Sequence, residues 1–226
     1  MRKILLLASV AGLISFNASA ADFNQYVSGK FTYADMQNDA KGTARSGGWS
    51  LSSDSNVDDD VYGVNLAYGL SKKVSGGSLR GEVELNYRSD AEKSFTSLDV
   101  DQDPVNEKAK VSSNSIMLNI YYDIDTGTKF SPYVGAGVGY ARLKAKYGMV
   151  DADGDGISMD ETANNFAWQV GAGVGYALSD NMTIDVGYRY IDYGDVSKTI
   201  GNNIASIKME ADVTAHEFML GTRYKF

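Results

Sequence analysis

The feature that most constrains this chain is a period of two. Between residues 62 and 70, Tyr62, Val64, Leu66, Tyr68 and Leu70 share one parity, and Gly63, Asn65, Ala67 and Gly69 the other. Between residues 78 and 88, Leu79, Gly81, Val83, Leu85 and Tyr87 alternate with Ser78, Arg80, Glu82, Glu84, Asn86 and Arg88. Successive side chains of a β-strand point to opposite faces, so each segment reads as a strand with one apolar and one polar face. Val27, Phe31 and Tyr33 alternate likewise with Ser28, Lys30 and Thr32. Ile184, Val186, Tyr188 and Tyr190 alternate with Thr183, Asp185, Gly187 and Arg189. Continued along the chain, the pattern predicts eight strands, near 24–36, 59–70, 78–89, 111–123, 131–145, 164–178, 182–193 and 209–226.

The expected connections alternate in length. Long segments (37–58, 90–110, 146–163, 194–208) take turns with short ones (71–77, 124–130, 179–181). Short turns at one end and long loops at the other mark an up-and-down transmembrane barrel with periplasmic turns and extracellular loops. An even strand count puts both termini in the periplasm. A soluble sandwich would alternate too, but three features favour the barrel: the rhythm of the loops, aromatics near the strand ends, and the N-terminus. Arg2 and Lys3, an apolar run from Ile4 to Leu13 and the small residues of Asn17 to Ala20 read as a cleaved signal peptide, 1–20, leaving a barrel domain, 21–226. Nothing else approaches the length of a membrane-spanning helix.

Composition narrows the function. There is no cysteine, so no disulfide framework or thiol nucleophile. Without Arg2 and Lys3, 19 basic residues face 29 acidic ones, which argues against nucleic acid as a partner. GAGVGY occurs at 135–140 and again at 171–176. A dinucleotide-binding glycine loop would be followed by a helix. Here the alternation continues through the glycines instead, with Val134, Ala136, Val138 and Tyr140 on one face and Gly135, Gly137 and Gly139 on the other. The copies read as two arms of one hairpin centred on position 155 or 156, and their glycines as a thin wall. Long side chains from strands 1, 3, 7 and 8 would fill the space. Predicted lumen residues are Lys30, Arg80, Glu82, Glu84, Arg88, Asp185, Arg189, Glu217, Arg223 and Lys225. Buried charges require partners, so Lys30, Glu82, Glu84, Arg189 and Glu217 are expected to form a cross-lumen ion-pair layer that plugs the barrel.

The GAGVGY strands, the run TIDVGYRYIDYGDV (183–196) and the closing HEFMLGTRYKF resemble small eight-stranded outer-membrane barrels of the opacity and OmpA-like porin type. The resemblance implies display on a Gram-negative surface, as an adhesin or surface antigen and envelope component. It also implies a C-terminal signal, Phe218, Leu220, Tyr224 and Phe226, read by the barrel-assembly machinery. OmpA-type relatives often add a periplasmic peptidoglycan-binding domain, a role not expected for a chain that closes on its last strand.

Other motifs carry weaker chemistry. Asp151, Asp153 and Asp155 with Gly156 match the first half of a calcium loop, but Thr162 stands where that motif has its glutamate. A solvated acidic tip is the plainer reading, and weak extracellular calcium the alternative; no cofactor is otherwise expected. His216 is the only histidine, faces outward by parity, and has no serine two residues away, so no enzymatic activity is expected. Trp49 is the preferred ligand anchor, since tryptophan is enriched at binding hot spots; packing on the barrel rim is the alternative. The expected partners are outer-membrane lipids and lipopolysaccharide, the assembly machinery and a host surface or matrix protein. A purely structural envelope protein or a narrow, low-conductance porin is the competing reading.

Overall fold

The computed structural model describes residues 23–46, 49–98, 104–150, 156–201 and 205–226. The expected signal peptide and Asp151, Asp153 and Asp155 lie outside the described residues. Nine strands run β1 (Asn24–Ser46), β2 (Trp49–Val74), β3 (Gly77–Arg88), β4 (Ala91–Leu98), β5 (Pro104–Ile124), β6 (Phe130–Val150), β7 (Gly156–Ala177), β8 (Met182–Gly201) and β9 (Ala205–Lys225). Every neighbouring pair is antiparallel. β3 and β4 both pair with β5, one after the other, so they are two lengths of a single stave interrupted at Ser89 and Asp90. The β3–β5 pairing closes the ring, giving an eight-stave barrel that leaves no sheet edge within the membrane.

The parity assignment holds in the barrel. Phe31, Tyr62, Leu66, Leu85, Leu118, Val138, Val170, Val186 and Leu220 are exposed on the outer face. Thr32, Asn65, Glu82, Glu84, Asn119, Gln169, Arg189 and Glu217 are buried in the lumen. In a soluble protein such an apolar outer face would be an aggregation surface; in lipid it is the favourable solvent contact. Rings such as Tyr62, Tyr87, Tyr140 and Phe166 stand at the upper end of this band, and Phe130, Tyr224 and Phe226 at the lower.

Three expectations are corrected. The long connections are not irregular loops. The β1–β2 ladder continues to Ser46↔Trp49, the β6–β7 ladder to Val150↔Gly156, and the β8–β9 ladder to Gly201↔Ser206. They are hairpins that rise above the membrane as a crown. The β6–β7 hairpin is centred near position 153, not 155 or 156, because Gly135 pairs with Gly171. Directly opposed residues of an antiparallel pair share a face. Laying one GAGVGY copy on the other would oppose an inward glycine to an outward tyrosine, so the copies slide apart and meet only at Gly135 and Gly171. Finally, Lys225 is exposed at the periplasmic mouth rather than held in the lumen.

The crown is split. Among the described residues the β2–β3 ladder ends at Gly63↔Arg88, followed by one backbone bond from Ser89 N–H to the Tyr62 carbonyl (2.7 Å), and the β7–β8 ladder ends at Trp168↔Asp192. The crown therefore consists of two four-stranded blades, β2-β1-β9-β8 and β4-β5-β6-β7. A side chain bridges each fork at its base. Asp59 accepts a hydrogen bond from the Glu92 amide (3.1 Å), and Asn165 donates to the Asp195 carbonyl (2.6 Å). A bulge at Asp192–Asp195 marks the second fork.

Candidate functional site: the filled lumen and the crown

The lumen is organised in layers. At the periplasmic end Arg80 donates to both carboxylate oxygens of Asp123 (2.6 and 2.9 Å), and Arg223 to both of Asp185 (2.7 and 2.9 Å). In the middle, Lys30 Nζ lies 2.9 Å from Glu82 and 2.6 Å from Glu84, and the Tyr26 hydroxyl donates to Glu82 (2.9 Å). Above them Arg189 links Glu84 (2.6 Å) to Glu217 (2.5 Å) and donates to Asn86 (3.2 Å). Arg88 and the Tyr193 hydroxyl also bond Glu217. The structure thus brings Lys30, Glu82, Glu84, Arg189 and Glu217 into one connected chain. Five cations (Lys30, Arg80, Arg88, Arg189, Arg223) meet five carboxylates (Glu82, Glu84, Asp123, Asp185, Glu217), so the network is formally neutral.

The glycine wall makes room for these side chains, though different residues fill it than the sequence predicts. A Cβ on Gly135 would fall 2.1 Å from the Tyr121 ring, on Gly137 1.9 Å from Asn119 Oδ1, and on Gly173 2.4 Å from the Tyr133 ring. The fillers come largely from the neighbouring β5 and from β6 itself, not only from the opposite wall. Asn119 is held there by Gln169 (2.6 Å).

Sequence reasoning missed the layer above. Met36, Val61, Leu143, Ile191, Tyr193 and Val213 form a buried apolar cluster with Ala34, Ala141, Ala167 and Ala215. Register places Ala34 level with Glu217 and Met36 level with Ala215, so the cluster starts at the uppermost ion pair and caps it. The signal was present, since Ala34, Met36, Val213 and Ala215 carry lumen parity where polar residues were expected.

Trp49 and Leu51 are 85% and 75% exposed, so Trp49 is not packed on the rim. Both carry the parity of Val61 and Gly63, and the β1–β2 register is unbroken between them. They therefore stand on the continuation of the lumen-facing side, at the tip of the β1–β2 hairpin. His216 faces outward; its Nδ1 shares a hydrogen bond with the Tyr188 hydroxyl (2.5 Å) and its ring packs on Tyr190. On the outer face of the crown, hydrogen bonds from Lys110 and then Ser112 hold the Asp90 carboxyl below its usual range. Phe226 N–H donates to the Gln25 carbonyl (3.0 Å), and Phe218, Leu220 and Tyr224 share its outer face.

A closed antiparallel barrel with an apolar exterior, aromatic girdles and an ion-paired interior defines an integral outer-membrane β-barrel of a Gram-negative bacterium. The chain belongs to the outer membrane protein beta-barrel domain family, whose model matches residues 5–226. It is 32% identical over 157 residues to outer membrane protein PagN of Salmonella typhimurium, covering 66% of this chain and 65% of that protein. It is 24% identical over 136 residues to outer membrane protein P.IIC of Neisseria gonorrhoeae, covering 50% and 46%. The matched regions thus span less than two thirds of each relative. Among solved structures, OprG of Pseudomonas aeruginosa superposes with a TM-score of 0.58 at 16% identity, covering 91% of this chain and 97% of that one, a likeness of fold.

Proposed function

We propose that the protein is a surface recognition barrel, an adhesin or surface antigen whose crown docks a protein on a host cell or its matrix. The observation that carries this reading is the exposure of Trp49 and Leu51 on a hydrogen-bonded hairpin. A large apolar ring held in water by a rigid ladder is an anchor whose ordering cost is already met by folding. A purely structural role gives no reason for that ring to stand exposed at the tip of the hairpin. The narrow-porin reading is disfavoured by the filled lumen and its apolar cap. The outward aromatics ending at Phe226 support a role as the assembly signal; deleting Phe226 should lower the amount of folded protein in the outer membrane.

The test expresses the protein in a non-adherent Gram-negative strain. Compared are the parent, Trp49→Ala with Leu51→Ser, and a variant with all four crown hairpins shortened to tight turns, each shown to fold and reach the surface. Adhesion to host cells and matrix proteins should fall about tenfold or more in the double variant, the size of a hot-spot loss. Equal adhesion by all three would move the reading to an envelope role.

A further inference from the structure

The outer face of the β4–β5–β6–β7 blade carries a graded pattern of charge. Opposed residues share a face, so the register can be read as rows. The lowest row holds Ile116, Tyr140 and Phe166, in the upper aromatic girdle. The next holds Asn114, Arg142 and Asn164, and the next Ser112, Lys144 and Thr162. Above these, Lys110, Lys146 and Asp160 lie in line. In the upper row the cations are neutralised, Lys110 by Asp90 (2.6 Å) and Lys146 by Asp160 (3.2 Å). In the two rows next to the membrane they are not. Among the described residues no carboxylate lies within ion-pair distance of Arg142 or Lys144, and both are exposed. Their partners across the ladders are amides and hydroxyls, and the nearest acids, Asp90 and Asp160, are engaged by Lys110 and Lys146.

This is unexpected in a chain of formal charge −8. Asp35 and Asp60 lie opposite each other outside the barrel on β1 and β2, and Asp35 is level with His216, so the far flank is acidic at the same level. Two residues along a tilted strand rise about 5 Å, so Arg142 and Lys144 stand within roughly 10 Å of the girdle, among lipid headgroups. We propose that Arg142 and Lys144 form a docking site for the phosphates of an outer-leaflet glycolipid, with Asn114, Asn164 and Thr162 facing its sugar hydroxyls. The guanidinium offers a planar fork to phosphate and the ammonium a point charge, and both act best in a partly dehydrated layer.

The test uses the full barrel in detergent with a chelator present, mixed with equal amounts of bisphosphorylated lipid A and its fully dephosphorylated counterpart. Bound lipids are counted by native mass spectrometry. The parent should favour the phosphorylated form. Arg142→Ala and Lys144→Ala should each cut that preference about fivefold, and the double variant about 25-fold. Arg142→Lys should retain most of it. For the parent alone, the preference should fall as salt rises; a salt-independent ratio would overturn the proposal without any variant. An unchanged ratio in the double variant would also overturn it. If that variant instead loses retention on heparin beads while its lipid ratio stays that of the parent, the cations serve a soluble polyanion and the lipid site is rejected.

Discussion

Arg189 shows how a single residue holds the lumen together. It bonds Glu84 and Glu217, which are otherwise matched by Lys30 and Arg88. Arg189→Met would leave three carboxylates, Glu82, Glu84 and Glu217, to two cations. Breaking a buried pair by removing one partner costs about 3–5 kcal/mol, and urea unfolding in lipid vesicles should show a loss of that order. Adding Glu217→Gln should return part of it, since residues of one network are not additive; a double variant as unstable as the sum of its singles would contradict the shared network. The glycines make a second contrast. A Cβ on Gly139 would lie 2.0 Å from the Ile116 carbonyl oxygen, whereas one on outward Gly81 meets only the Asn119 oxygen at 4.0 Å. Gly139→Ala should therefore cost about 1–3 kcal/mol by overpacking and Gly81→Ala almost nothing in barrel packing, read as shifts in heat-modifiable gel migration. Parity alone made both glycine orientations legible. It did not reveal what fills the wall, because a pattern of period two fixes faces and leaves rotamers and cross-strand neighbours open.

The strands were legible in their lower halves only. Within the membrane one side meets lipid and the other meets paired charges, so the alternation is strong. Above it both sides meet water, and stretches such as 37–46 and 49–60 lose the contrast while keeping the backbone ladder. Turn-rich composition there reads as loop, although pairing with β1 or β9 supplies the hydrogen bonds. The split follows from the ladders and predicts a pattern of exchange. Residues 38–46 of β1 pair on both sides, with β2 and β9, while among the described residues 49–60 of β2 form a ladder with β1 alone. Amide hydrogen exchange should find alternate amides of 49–60 open within minutes and those of 38–46 protected. Uniform protection across both strands would mean that the fork closes in solution. The two forks were not legible at all, since a break in pairing between distant strands leaves no local mark beyond the interruption at Ser89–Asp90.

At the level of the whole molecule, the lumen is neutral, connected and capped. Charge balance lets it stay packed without counter-ions, and the apolar layer of Met36, Val61, Leu143 and Ile191 closes it toward the outside. Planar-bilayer recordings should therefore show no large, stable open state. Small alanine-for-side-chain changes in the cap should not open one either, because the ion-pair layers beneath remain. A steady conductance of porin size in the parent would refute the plugged barrel. Sequence reasoning reached the ionic layers through their residue types and stopped short of the cap, since apolar residues of lumen parity look like errors in the alternation until the barrel is closed around them.

The forks themselves stand four staves apart on a ring of eight, diametrically opposed. Each blade is thus rooted in half of the collar and held to the other at its base, by bonds of Ser89 and Asp59 at one seam and of Asn165 at the other. On the proposed recognition role, such an arrangement would work as a pair of callipers: the collar fixes the pivot, and a partner seated between the arms would be gauged by its girth before any single contact is made.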